Sequence, residues 1–400
     1  MPRRWRRIRV RRGGKIDEFE RPDWGTAMIV DGHAYCFPSP NERLDPPSDE
    51  DPLRHLQREM GKHHQPAWRT RDRAAAGVDA LIDLERWETL NSLKEADFRA
   101  AGFGRFEWRS GGEVIAKQYQ PPSMQDMAYP SERLVAEMDY ADVEWALLHK
   151  FQGTTNDYMA ACVRGFPQRL RALAHVAEWR VADDPDAAIA EVTRAITELK
   201  LSGLQFMPYQ MDLYGHHEPW DGPEYRPFWD AVADLGVPVY LTLLGRRDPA
   251  IESYRNELRT LQRWMERYPE TTVVHTHGFP WRMYIDGDRV ALPDYVWEPF
   301  ANRRLHLQLL FPISLGNVWD YPMREVQPVI ETCVRRIGAR RLIWGTDMPM
   351  VMRFWTYRQN VDFIGRYCEF LADEDRDAIL GGTAARLMGV PGADSASPGR

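Results

Sequence analysis

From residue 128 onward, short runs rich in Val, Leu, Ile and aromatic residues alternate with longer stretches whose apolar residues recur at helical spacing. Eight runs have strand character: Met28–Asp31, Val143–Leu148, Leu170–Ala177, Gly203–Met207, Pro238–Leu243, Thr272–His275, Arg304–Leu310 and Arg341–Trp344. The last seven start 27, 33, 35, 34, 32 and 37 residues apart, about one strand, one helix and two loops each. That rhythm predicts an α/β fold, a (β/α)8 TIM barrel of parallel strands. A doubly wound open sheet would carry a Gly-rich phosphate turn after its first strand, and His33-Ala-Tyr-Cys-Phe-Pro is not one. Between strands, Asp184-Pro-Asp-Ala-Ala-Ile reads as a helix start, with Asp as N-cap and Pro in the first turn.

Three segments stand outside this rhythm. Residues 38–127 carry Pro and charge clusters (Asp45-Pro-Pro-Ser-Asp-Glu-Asp-Pro52) and an aromatic-rich stretch from Trp87 to Trp108. They form an insertion after strand 1, expected as a lid over the barrel mouth. Residues 1–27 are expected to be a basic, disordered leader, residues 28–390 the barrel, and residues 391–400 a flexible tail.

Composition narrows the class without changing that picture. With 44% hydrophobic and 28% charged residues over 400 positions, the chain is that of a soluble globular protein. Its longest apolar runs, such as Val237–Leu244, are far short of the roughly 20 residues a membrane span needs. The cysteines Cys36, Cys162, Cys333 and Cys368 form no C-x-x-C pair, which fits a reducing, cytoplasmic setting. Seven arginines and Lys15 crowd into residues 1–15, so the remainder holds all 59 acids against 44 bases. A body that acidic is a poor match for nucleic acid.

Candidate chemistry gathers at strand ends, where a barrel concentrates functional groups. Strand alternation puts Asp31, His33 and Tyr35 on one side of strand 1, and His275 and His277 on one side of strand 6. Strand 8 runs into Gly345-Thr-Asp347. Imidazoles and a carboxylate converging on one mouth are the donor types that bind a divalent metal.

Asp31-Gly-His33-Ala-Tyr35, Pro238-Val-Tyr-Leu-Thr242, Val274-His-Thr-His277-Gly278, Ile343-Trp-Gly-Thr-Asp347-Met-Pro349 and Gly382-Thr-Ala-Ala-Arg386-Leu387 together resemble the successive motifs of the amidohydrolase superfamily. The spelling is similar to its amidohydrolase-related branch of aminocarboxymuconate-semialdehyde decarboxylase-like enzymes. The resemblance implies a divalent ion at the mouth, zinc first, with manganese or iron as alternatives. It matches His33 to the first ligand and Asp347 to the last, and gives His277 the place of an acid/base or second ligand. Tyr35 stands where the second histidine of H-x-H belongs, and Thr242 where the strand-five histidine belongs. Gln205 replaces the lysine that bridges two metals in some members.

Replacement ligands are sought in Tyr35 itself and His275, and substrate contacts in His64 and Arg69 of the insertion and in His217 after strand 4. Arginine's planar fork suits a substrate carboxylate. The resulting expectation is a metal-dependent decarboxylase or hydrolase acting on a small carboxylated or cyclic compound, with His277 and Asp347 catalytic. Two alternatives accompany it: a metal-dependent oxygenase on the same fold, and a degenerate subunit supporting a related catalytic barrel. Assembly as a homo-oligomer, or with such a partner, is expected.

Overall fold

The computed structural model describes residues 28–42, 44, 51–83, 90–151, 153–245 and 251–391, together with two strands nearer the N-terminus. Eight parallel strands form its frame: β1 Val30–Ala34, β2 Trp145–Leu148, β3 Leu170–Ala172, β4 Leu204–Phe206, β5 Val239–Leu241, β6 Val273–His275, β7 Leu305–Leu309 and β8 Leu342–Trp344. All eight are buried along their whole length or nearly so, which explains their near-continuous apolar spelling. Each coincides with or overlaps its predicted run. The first is displaced towards its C-terminus, because Asp31 and His33 are accommodated inside the fold by hydrogen bonds and do not end the strand.

The ladders make a three-stranded sheet in the order β3-β2-β1 and a five-stranded sheet in the order β4-β5-β6-β7-β8. The result is a mixed α/β fold in which the paired ladders do not form one continuous ring. Single parallel bridges stand at both seams, Ala34 with Met348 and Ala174 with Leu204.

Alternate strand residues divide into two cores. Leu148, Ala172, Phe206, Leu241, Leu307 and Trp344 belong to a large cluster with the helices, such as Ile251–Arg267, which buries Tyr254, Leu258, Leu261 and Trp264. Val30, Trp145, Leu147, Leu173, Tyr240, Val274 and Ile343 form a smaller cluster with Ala384, Ala385, Met388 and Val390 near the C-terminus. Helix Pro185–Thr197 starts as its sequence requires, the Asp184 side chain accepting from Ala187 N.

Between β1 and β2, helix Pro52–Lys62 is capped by Asp51 and followed by an antiparallel five-stranded sheet spanning residues 67–118. Residues 45–50 and Trp87 lie outside the described residues. In the expected leader, Arg9–Arg12 pairs antiparallel with Lys15–Glu18, and the rest of residues 1–27 lies outside the described residues, as does the tail beyond residue 391. All four cysteines are buried and unpaired, and no described helix is long and apolar enough to cross a membrane.

Candidate metal and catalytic site

Close approach of β1 and β8 builds the site. A Cβ on Gly32 would lie 2.4 Å from Ile343 Cγ2 and 3.0 Å from Trp344 O, so only glycine lets the two strands meet. Beyond them the chain segments continue side by side, with Asp347 N donating to His33 O (2.8 Å) and Tyr35 N to Met348 O (2.8 Å). The buried Asp31 carboxylate ties this corner together, accepting from His33 N, Thr346 N, Thr346 Oγ1 and Tyr357 Oη at 2.5–3.1 Å. Burial outweighs those bonds and pushes its carboxyl up to about 6.

Three candidate ligands converge beside this corner. Asp347 Oδ1 is 3.5 Å from His33 Nε2 and 3.4 Å from His277 Nε2. One ligand atom from each of the three residues lies within 4.8 Å of the others. Tyr35 completes the group, its hydroxyl donating to Asp347 Oδ1 (2.8 Å) and lying 2.8 Å from His33 Nε2 and 3.5 Å from His277 Nε2. His277 and Asp347 both sit in the left-handed region, with φ of 61° and 66°. Such strain in non-glycine residues persists only where surroundings hold it, and it clusters at functional sites. Here Gln308 Oε1 accepts from His277 N (3.0 Å), and Trp281 Nε1 donates to His277 O (3.0 Å).

Gln308, on β7, also fixes the chemistry of His33. Its Nε2 donates to Gly32 O (2.8 Å), which leaves Oε1 to accept from His33 Nδ1 at 2.9 Å. His33 therefore carries its proton on Nδ1 and turns the Nε2 lone pair towards Asp347 and Tyr35. Burial, followed by His149 and His277, holds the His33 imidazole well below its ordinary range, so the ring is neutral. Burial pushes Asp347 upward, but the hydrogen bond and charge of His277, together with His33 and Tyr35, leave its carboxyl below the usual range. Burial and the Asp347 charge raise the Tyr35 phenol well above 10.

The cluster thus holds acceptor lone pairs from His33 and Asp347 facing one hydroxyl proton, a donor set suited to a cation. An ion about 2.1 Å from each of four tetrahedral donors separates them by about 3.4 Å, close to the two Asp347 distances. On this observation His33, His277 and Asp347 fit a divalent metal, and Tyr35 Oη, 2.8 Å from both Asp347 Oδ1 and His33 Nε2, stands beside them as a hydrogen-bond donor. Exposure is uneven: the His277 side chain is 31% exposed, Asp347 8% and His33 0%. The open edge of the cluster is therefore at His277.

Other candidates are placed elsewhere. His275 is fully buried, its Nε2 3.0 Å from Tyr254 Oη on helix Ile251–Arg267 and its ring against Phe279. β6 ends at His275 and the chain turns left-handed at His277, so strand alternation does not carry across. Arg69 is engaged by Asp72 through two hydrogen bonds of 2.9 and 3.2 Å at the surface. His217 Nδ1 faces Asp212 Oδ1 at 2.9 Å, within its own turn. His64 stacks on His63 with ring centroids 4.3 Å apart, and burial followed by Arg282, Arg353 and Lys117 lowers it to about 4. Thr242 Oγ1 is committed to Thr276 Oγ1 at 2.6 Å. Gln205 accepts from Lys150 N at 2.7 Å.

Sequence reasoning passed over His149 and Gln308. His149 follows β2 and stacks on His33, centroids 3.6 Å apart and planes 14° apart, with Nε2 3.1 Å from Gly32 O. Its place at a strand end was the available signal. Gln308 offered none, since a glutamine inside an apolar strand has no motif.

Comparison with known proteins now decides the family. Residues 63–390 match the family model described as Amidohydrolase. The chain belongs to the amidohydrolase family. It is therefore an enzyme by descent. Gamma-resorcylate decarboxylase of Rhizobium sp. (strain MTP-10005) is 26% identical over 274 residues, covering 60% of this chain and 76% of that one. 2-Keto-4-carboxy-3-hexenedioate hydratase of Sphingobium sp. (strain NBRC 103272 / SYK-6) is 22% identical over 247 residues, 58% of this chain and 70% of that one. Among solved structures, 5-carboxyvanillate decarboxylase of Novosphingobium aromaticivorans, with bound manganese, superposes with a TM-score of 0.50 at 14% identity, over 91% of this chain and 97% of that one. At that identity the likeness is one of fold.

Proposed function

We propose that this amidohydrolase is a divalent-metal decarboxylase of a small cyclic carboxylate, with its active centre at His33, Tyr35, His277 and Asp347. The observation that carries this reading is the convergence of His33 Nε2, His277 Nε2 and Asp347 Oδ1 around a single hydroxyl, open to solvent at His277. The relatives named as decarboxylases of aromatic acids support the reaction class. The three- and five-stranded sheets are read as two arcs of one (β/α)8 TIM barrel. Supporting this are the bridges at both seams and an inner apolar cluster drawn from both sheets.

His33, His277 and Asp347 would hold the ion, with Tyr35 Oη beside it. Manganese and zinc both suit two imidazoles and a carboxylate. When bound, the metal supplies a positive charge that polarises substrate oxygens or activates water. Gln308 holds the proton of His33 on Nδ1 and so keeps Nε2 available. Tyr35 holds a proton at Oη and donates it to Asp347 Oδ1 at 2.8 Å. The buried wall of His33 and His149 excludes water from the inner side. A second reading gives His277 the proton-transfer role in place of a ligand role, favoured by its exposure.

The test is metal analysis of tag-free protein together with carbon dioxide release from 2,6-dihydroxybenzoate after manganese or zinc reconstitution. The proposal expects one ion per chain and turnover. A His277→Ala variant that loses the ion makes His277 a ligand; one that keeps the ion and loses turnover makes it the proton carrier. Iron with oxygen uptake would turn the reading to an oxygenase. A chain without metal after reconstitution would turn it to a supporting subunit.

A further inference from the structure

At the opposite end of the strands from this centre the chain carries three adjacent arginine pairs, Arg303-Arg304, Arg335-Arg336 and Arg340-Arg341, in a body where acids outnumber bases. Arg303 stands just before β7 and Arg341 directly before β8. At about 3.3 Å per strand residue, Arg303 is about 16 Å along the chain from Gln308 at the other end of β7. Three of these arginines, Arg303, Arg340 and Arg341, line a surface cavity of about 580 Å³ together with Phe300, Ile337 and Gly338. A cavity of that size holds a small organic ligand.

Backbone and apolar groups shape its wall. Arg341 Nε donates to Ile337 O (2.9 Å), and its Nη1 donates to Phe300 O and Asn302 O (3.0 Å each). Arg341 thereby ties the end of helix Gln327–Ile337 to the turn that enters β7. Phe300 and Ile337 are buried and give the cavity an apolar floor. Gly338, with φ of 92°, closes no part of it, since a Cβ there would meet no atom within 4 Å.

The charges around this cavity are unevenly matched. Arg304 pairs with Glu270 and Arg336 with Asp294. Among the described residues the exposed guanidinium groups of Arg303 and Arg340 have no acid partner, and Arg341 bonds only to neutral oxygens. Burial, followed by the Arg303 charge, lowers the Arg341 guanidinium from its ordinary range. Like charges gathered around one cavity repel, and an anion of more than one charge offsets that repulsion. A phosphate monoester brings about −1.5 to −2 charges at neutral pH and three acceptor oxygens that suit guanidinium forks, whereas a monocarboxylate brings one charge.

We propose that this cavity binds a small organic phosphate, its phosphoryl oxygens held by Arg303, Arg340 and Arg341 and its apolar body resting on Phe300 and Ile337. The site is separate from the His33–His277–Asp347 centre and independent of the reaction there. A ligand in it bridges the turns that enter β7 and β8.

Calorimetry on the full chain tests this with phenyl phosphate and inorganic phosphate, for the wild type, Arg303→Gln, Arg340→Gln, the double variant, Arg289→Gln and Asp347→Ala. Arg341 is left in place because its three carbonyl bonds hold the fold. The expected result is one phenyl phosphate per chain, bound about 10-fold more tightly than inorganic phosphate through the apolar floor. Each single substitution weakens phenyl phosphate about 5-fold and the pair about 25-fold, the scale of two exposed ion pairs acting independently. Arg289→Gln, at an exposed arginine paired with Asp286, leaves binding unchanged, and so does Asp347→Ala. Absence of binding to the wild type, or equal binding by the wild type and the double arginine variant, overturns the proposal. Binding lost in Asp347→Ala and kept in the double variant places the phosphate at the centre and overturns it too. Equal affinity for the two phosphates overturns the assignment to an organic ester.

Discussion

Between the parallel strands, Val30, Leu147, Leu173, Tyr240, Val274 and Ile343 pack with Ala384 and Met388 into a small apolar core. At the C-terminal ends of the same strands and just beyond them, His33, His149, His277, Gln308 and Asp347 form a polar cluster joined by hydrogen bonds and ring stacking. The first region has nothing to hold but itself. The second carries two left-handed non-glycine residues, held by hydrogen bonds of the His277 backbone and of Asp347 N, and lone pairs of His33 and Asp347 that face one hydroxyl. Substitutions should therefore separate: in the apolar region they change stability and leave ion binding alone, and at the strand ends they do the reverse.

The largest effect is expected from Asp347→Ala, which removes the one carboxylate bonded to both Tyr35 and the histidines. Turnover should fall about 10³-fold or more and the ion should be lost, while the thermal midpoint measured without metal changes little. Ile343→Ala should do the opposite. A fully buried isoleucine packed against Gly32 costs about 3 kcal/mol when truncated, read from the denaturant midpoint, with one ion still bound per folded chain.

Acid should act on stability through histidines outside the site. Burial lowers His275 and His306 each to about 4 from 6.5. Below pH 6.5 the unfolded chain takes up a proton that the folded chain refuses, so stability falls as pH drops towards 4. Each residue should contribute a loss of about 2 kcal/mol between pH 7 and 5. Denaturant titrations across that range check it, and His275→Leu should flatten the slope. The same His275→Leu variant gives the smallest effect at the centre: its partner is Tyr254, so metal content should be unchanged, in contrast to His277→Ala.

The strands were legible because parallel strands buried on both faces spell continuous apolar runs, and their spacing revealed the βα rhythm. The meeting of His33, His277 and Asp347 was legible because all three stand at strand ends that share one side of the fold. His275 was misplaced by extending alternation past a strand that stops there, and the left-handed turn at His277 leaves no mark in the residues. For Arg69 the sequence left a substrate carboxylate and a surface ion pair both open, and Asp72 three residues on forms the ion pair. Gln308 acts through a partner distant in sequence, Gly32, so only the folded chain shows how it orients His33.

The central claim is that three side chains from opposite ends of the sequence form one ion site. Manganese titration of metal-free wild-type protein, followed by calorimetry beside the Asp347→Ala variant, tests it most directly. The account predicts one ion per chain in the wild type and none in the variant at the same concentrations. Binding that persists unchanged in Asp347→Ala would place the ion elsewhere and contradict it.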